Sequence, residues 1–130
     1  MAERIAFMGR TESAAASISG DEYQLLITAA ARRYLKRNNA RYRQLAAKVE
    51  RARASGSKKP VRTHARDALI LPSWIGIAFE VHNGKTFVPI RITGAMLGHR
   101  LGEFSPTTKR VQHSAPGIRA TRGSKFLAVK

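Results

Sequence analysis

The strongest constraint on the fold is the run of residues 69–92, the one stretch rich in Ile, Leu, Val and Phe, which is interrupted by Asn83-Gly84. Asn-Gly is the preferred pair for a two-residue type I′ turn, because both positions need a positive φ. A turn there predicts a β-hairpin over 75–92 in which facing residues sum to 167. Val81 then faces Thr86, Phe79 faces Val88, Ile77 faces Ile90 and Ile75 faces Ile92. One face is almost wholly apolar. The other carries Gly76, Ala78, Glu80, His82, Lys85, Phe87, Pro89 and Arg91. Pro89 has no N–H to give a ladder, which marks its strand as an edge strand or one bulged at that point.

Upstream of the hairpin the periodicity is helical. Ser19-Gly20-Asp21-Glu22 has the form of a capping box. Tyr23, Leu26, Ile27, Ala30, Ala31 and Tyr34 then recur at the spacing of one helix face, and Arg32, Arg33, Lys36 and Arg37 load the end of that helix. Asn39 is a natural N-cap for a second helix, with Tyr42, Leu45, Ala46 and Val49 as its apolar stripe and Gly56 as its stop. Arg41, Arg43, Lys48, Arg51 and Arg53 surround the stripe. The boundaries expected are a flexible N-terminus at 1–20, a basic helical hairpin at 21–56, a core domain at 57–104 and an extended tail at 105–130. After the hairpin, Thr93 predicts the cap of a short helix from Gly94 to Leu101, ended by Gly102. Gly94, Gly98 and Gly102, four apart, suit close backbone approach. Trp74, the only tryptophan, is expected to pack in the core rather than stack on a base.

Charge narrows the function. The 130 residues hold 24 Lys and Arg against 8 Asp and Glu, a formal net charge of +16. Residues 1–24 carry two basic and four acidic side chains, residues 25–59 eleven and one, and residues 60–130 eleven and three. No acid follows Glu103. Such a chain repels itself unless a polyanion neutralises it, and nucleic acid, which also releases counterions, is the first candidate. The basic helices have Ala- and Tyr-rich stripes, weak as membrane anchors. No window approaches the length of an apolar membrane span, and Met1–Gly20, with Glu3 and Glu12, does not read as a signal peptide.

Catalytic and metal readings find little support. There is no cysteine, and His64, His82, His99 and His113 fit no zinc spacing. His64, Asp67 and Ser73 lie near one another in sequence, but no G-x-S-x-G elbow surrounds the serine. Gly84-Lys85-Thr86 resembles the end of a phosphate-binding loop, yet Phe79 stands where its first glycine is needed. The chain is therefore read as a non-enzyme with no cofactor and no metal. A chromatin-type architectural protein acting on DNA and a nuclease using His64 or His99 are the competing classes.

Three stretches carry a resemblance: KKPVRTHARDALILP at 58–72, VHNGKTFVPIRIT at 81–93 and MLGHRLGEFSPTTKRVQHSAPGIRATRGSKF at 96–126. They closely resemble the small-subunit ribosomal protein family numbered nineteen in the universal scheme, protein fifteen in eukaryotes, and the tail resembles archaeal members most. The departures are Ser73-Trp74 for an acidic residue and Met, Gly94-Ala95 for a Pro-Glu helix start, and Arg100 for an aromatic. The resemblance implies an α+β fold with a small three-stranded sheet, and a cytoplasmic place in the head of the small ribosomal subunit. It also implies rRNA as ligand, ribosomal protein thirteen as neighbour, and a C-terminal tail directed toward the decoding region and tRNA. The residues expected to touch phosphate and sugar are Lys58, Lys59, Arg62, His64, Arg66, Lys85, Arg91, His99 and Arg100 around the core. In the tail they are Lys109, Arg110, His113, Arg119, Arg122 and Lys125.

Overall fold

The computed structural model describes residues 5–37 and 39–111. The tail candidates His113, Arg119, Arg122 and Lys125 lie outside that range. The fold is α+β, built on a three-stranded sheet in the order β3 (Val61–Thr63), β4 (Ala78–His82), β5 (Phe87–Arg91). β4 and β5 form the expected antiparallel hairpin, and β3 runs parallel to β4, with Val61 beside Phe79 and Thr63 beside Val81. Pro89 does lie on an edge strand, β5.

The hairpin register corrects the two-residue turn. Phe79 faces Ile90, Val81 faces Val88 and His82 faces Phe87, so facing residues sum to 169. The connection is the four-residue loop Asn83–Thr86. Asn83 closes it from within: its Oδ1 accepts from Lys85 N at 3.0 Å and from Thr86 N at 2.9 Å, and its own N–H donates to the Thr86 carbonyl at 3.0 Å. The Asn side chain thus takes the place of a tight backbone turn, and Gly84, at φ 102°, supplies the one left-handed residue. The slide is by two residues, and side chains alternate with period two, so each strand keeps its inner face. Phe79, Val81, Ile90 and Ile92 are buried as the alternation requires. At the far end Gly76 donates to the Ile92 carbonyl and Ile92 to the Ile77 carbonyl. Gly76 and Ile77 thereby oppose one residue in a bulge that places Gly76 at φ 85°.

Four helices precede β3: α1 (Glu12–Ala16), α2 (Gly20–Leu26), α3 (Ala29–Lys36) and α4 (Ala40–Ala54). The single helix expected after Ser19 is two. Ser19 caps α2 by accepting from Glu22 N, but Ile27 turns extended into the core and Thr28 starts α3 by accepting from Ala31 N. Asn39 caps α4 as expected, accepting from Arg41 N at 3.0 Å. Gly56 ends it: its N–H donates to the Arg53 carbonyl and the next N–H, of Ser57, to Ala52, the paired bonds of a left-handed helix stop. Tyr42, Leu45 and Val49 are the buried stripe of α4. Trp74 is in the core, between the rings of Tyr42 (6.0 Å) and Phe79 (5.3 Å).

Two further segments differ from expectation. Residues 5–16 form a small hairpin, β1 (Ile5–Phe7) and β2 (Arg10–Thr11), followed by α1. Met8 and Gly9 make its turn at φ 46° and 78°. The expected helix from Gly94 to Leu101 is instead two 3-10 turns, Gly94–Met96 and Leu101–Phe104, and Thr93 makes no side-chain cap. Gly98, at φ 80°, separates them. The two outer glycines are close-approach positions: a Cβ at Gly94 would lie 2.8 Å from Ala6 Cβ, and one at Gly102 2.9 Å from the Arg66 carbonyl oxygen.

Candidate nucleic-acid interface

Seven of the described basic side chains line two concavities beside α4. The first, of about 510 Å³, lies between the C-terminal end of α4 with its following loop and the start of β4 with the end of β5. Arg53, Lys58, Lys59 and Arg91 line it, together with small residues that leave room: Ala52, Gly56, Gly76 and Ala78. Among the described residues this wall holds four cations and no acid. The left-handed glycine that ends α4 turns the chain so that Lys58 and Lys59 come back to line the cleft, and on the opposite lip Gly76, at the bulge, adds no side chain beside Ile77, Ala78 and Arg91.

The second, of about 460 Å³, runs between α4 and β3 and is lined by Arg41, Lys48, Arg62, His64 and Asp67 among others. Lys48 Nζ donates to the Arg62 carbonyl at 2.9 Å and ties the helix to the strand. Arg62 forms an ion pair with Glu80, its cross-strand neighbour, and lies over the Phe87 ring at 5.3 Å. Its side chain stays 67% exposed, so the pair orients the guanidinium without removing it from solvent. Asp67, the acid of this groove, accepts from the Tyr34 hydroxyl at 3.2 Å. Burial first, and then the Asp67 carboxylate, push the Tyr34 phenol up to about 12.

Not every candidate cation is available. Arg66 donates to three carbonyls, His82 (2.7 Å), Gly102 (3.0 Å) and Ser105 (2.6 Å). It fastens the hairpin end to the last 3-10 turn, and its role in the structure is that of a strut. Arg100 lies over the Tyr34 ring at 4.9 Å and donates to the Asp67 carbonyl at 3.1 Å. His99 Nδ1 is 2.6 Å from Glu103 Oε2, with both side chains about half exposed. Lys85 is exposed on the hairpin loop, and Lys109 and Arg110 are exposed past the last turn. Arg41, Lys48 and Arg53, which are not among the sequence candidates, also line these concavities, and their density on one helix with a single acid, Glu50, is the sequence signal that marks them. No helix among the described residues is long and apolar enough to cross a membrane.

The model of the family described as ribosomal protein S19 matches residues 33–113. The chain belongs to the ribosomal protein S19 family. It is thus of a family of structural proteins of the small ribosomal subunit that bind rRNA. The S19 match takes in α4, the whole three-stranded sheet and all four cations of the acid-free cleft. It leaves out β1, β2, α1 and α2. Those elements are nevertheless bonded to the S19 core. Glu12 Oε1 accepts from Gly94 N at 3.2 Å, and the Tyr23 hydroxyl bridges Ile70 and Gly98.

Proposed function

We propose that this chain is a non-catalytic, cytoplasmic architectural protein of the small-subunit head that clamps folded rRNA through the two basic concavities beside α4. The observation that carries the reading is the acid-free cleft of Arg53, Lys58, Lys59 and Arg91. A cleft lined by one sign of charge focuses field onto a phosphate backbone and positions it without reading sequence. The head location, ribosomal protein thirteen as neighbour and a tail running toward the decoding region and tRNA rest on the resemblance over residues 58–130. The tail's composition agrees: six basic side chains and no acid follow Glu103.

The test is sedimentation of a lysate on a sucrose gradient, probing for the chain. The wild type should travel in the small-subunit peak. The pair Lys58→Glu/Lys59→Glu should shift chain from that peak to the top of the gradient, increasingly so as salt rises. Unchanged incorporation at raised salt would count against the cleft. Co-purification with DNA in place of ribosomal particles would count against the reading as a whole.

A further inference from the structure

The outer face of the sheet carries a ring cluster that the core does not use. His82 and Phe87 face each other at the closed end of the hairpin, with centroids 5.0 Å apart and planes at 70°. His64 follows directly after β3, so the parallel pairing of Thr63 with Val81 brings its ring beside His82 at 4.5 Å and 37°, and against Phe87 at 5.2 Å and 75°. The buried rings Tyr42, Trp74 and Phe79 belong to the core, whereas His64 is exposed.

The cluster is held in place. The Gly84 N–H donates to His82 Nδ1 at 3.1 Å, which makes that nitrogen an acceptor and leaves the proton of the neutral ring on Nε2. The turn after His64 is fixed by Ala65 N donating to Thr63 Oγ1 and Arg66 N to the His64 carbonyl. Arg62 lies over Phe87 and is steadied by Glu80. His64 is therefore a flat ring backed by a second ring, and it forms the wall of the groove that also holds Arg41, Lys48 and Arg62.

We propose that His64, backed by His82 and Phe87, is a stacking platform for one unpaired RNA base whose flanking phosphates lie in the Arg41–Lys48–Arg62 groove. The proposal rests on the RNA-binding reading and adds what the cations alone cannot supply, a contact to a base. Paired RNA offers no free base face, so the ligand is a nucleotide in a loop, bulge or single strand. A π face beside cations is the combination that such nucleotides take. The alternative use of the rings is to pin the hairpin end. A cross-strand pair of His82 and Phe87 does that without His64.

The experiment uses the full chain and a short uridine RNA oligomer with one central 2-aminopurine, titrated over a series of salt concentrations. Wild type should quench the 2-aminopurine. His64→Ala should lose roughly five- to a hundredfold in affinity with the slope of log K against log salt unchanged, because no phosphate contact is removed. His64→Phe should retain both affinity and quenching. Lys48→Ala, by contrast, should lower the slope by roughly 0.7. Trp74 fluorescence checks that each variant is folded. The platform is overturned if His64→Ala binds like wild type, if it lowers the salt slope, or if His64→Lys rescues where His64→Phe does not. If the wild type fails to bind the oligomer at all, the platform falls, whereas the RNA reading falls only if the chain is also absent from the small-subunit peak.

Discussion

Tyr23 joins the N-terminal elements to the S19 core through a single oxygen, and its removal makes a quantitative test of the packing. The residue is 1% exposed, donates its hydroxyl to the Ile70 carbonyl at 2.5 Å and accepts from Gly98 N at 3.0 Å. Tyr23→Phe keeps the ring and leaves both backbone groups without that partner. Each buried orphan costs about 1–3 kcal/mol, less where water reaches it, so the pair should cost about 2–4 kcal/mol. In a domain of this size that lowers the midpoint of melting by roughly 8–15 °C. The assay is urea unfolding followed by the fluorescence of Trp74, which is buried beside Tyr42 and Phe79. Tyr42→Phe is the comparison: its hydroxyl reaches only one carbonyl, Leu69, at 3.4 Å, and its loss should cost under about 1 kcal/mol. There is also a pH signature. Burial raises the Tyr23 phenol from 10.0 to about 12, opposed by the Gly98 N–H. A raised acid favours the folded state below its unfolded value, so this contribution is whole below about 10 and is lost as pH climbs toward about 12. Tyr23→Phe should flatten that alkaline decline. A Tyr23→Phe midpoint within about 0.5 kcal/mol of wild type would refute the bridge.

Two other substitutions probe the supports of the site. Arg66→Met removes a charged donor from three carbonyls and should cost about 2–4 kcal/mol in urea unfolding, while the salt slope of RNA binding stays within error of wild type. Gly94→Ala places a Cβ 2.8 Å from Ala6 Cβ and 3.4 Å from Glu12 Cα, at about 1–3 kcal/mol. Its effect should be local, read as faster amide exchange over residues 5–16 with the sheet unchanged.

What could be read from the sequence was whatever a residue decides by itself or with its near neighbours. Asn39 and Gly56 bound α4 because one cap and one left-handed stop suffice. Gly94 and Gly102 announced close approaches, and Trp74 its burial. Pairings that depend on distant partners were not legible. β3 is three residues long and owes its place to β4, whose paired residues lie eighteen positions away, and no local signal announces a parallel pairing. The break at Ile27-Thr28 serves the burial of Ile27 in a core built by other elements. The turn at Met8-Gly9 puts a methionine at φ 46°, where no propensity rule would look for one. Among the cations, sequence pattern cannot separate Arg66, bonded to three carbonyls, from Arg62, which keeps most of its surface.

The hairpin register shows that a local difference of this kind can bear on function. Under a two-residue turn at Asn83-Gly84, His82 would face Lys85 and Phe87 would face Glu80. The four-residue loop closed by Asn83 slides β5 by two, so Phe87 comes opposite His82 while Glu80 comes opposite Pro89. The inner face is the same in either register, and the core gives little reason to choose between them. On the outer face the two are different surfaces. One offers an isolated imidazole beside a lysine. The other offers two rings 5.0 Å apart with room for His64 against both, and it frees Glu80 to hold Arg62. The bonds that select the second are those of Asn83 Oδ1 to Lys85 and Thr86, with His82 Nδ1 to Gly84. The loop that sets the register and the rings that line the groove are thus one arrangement.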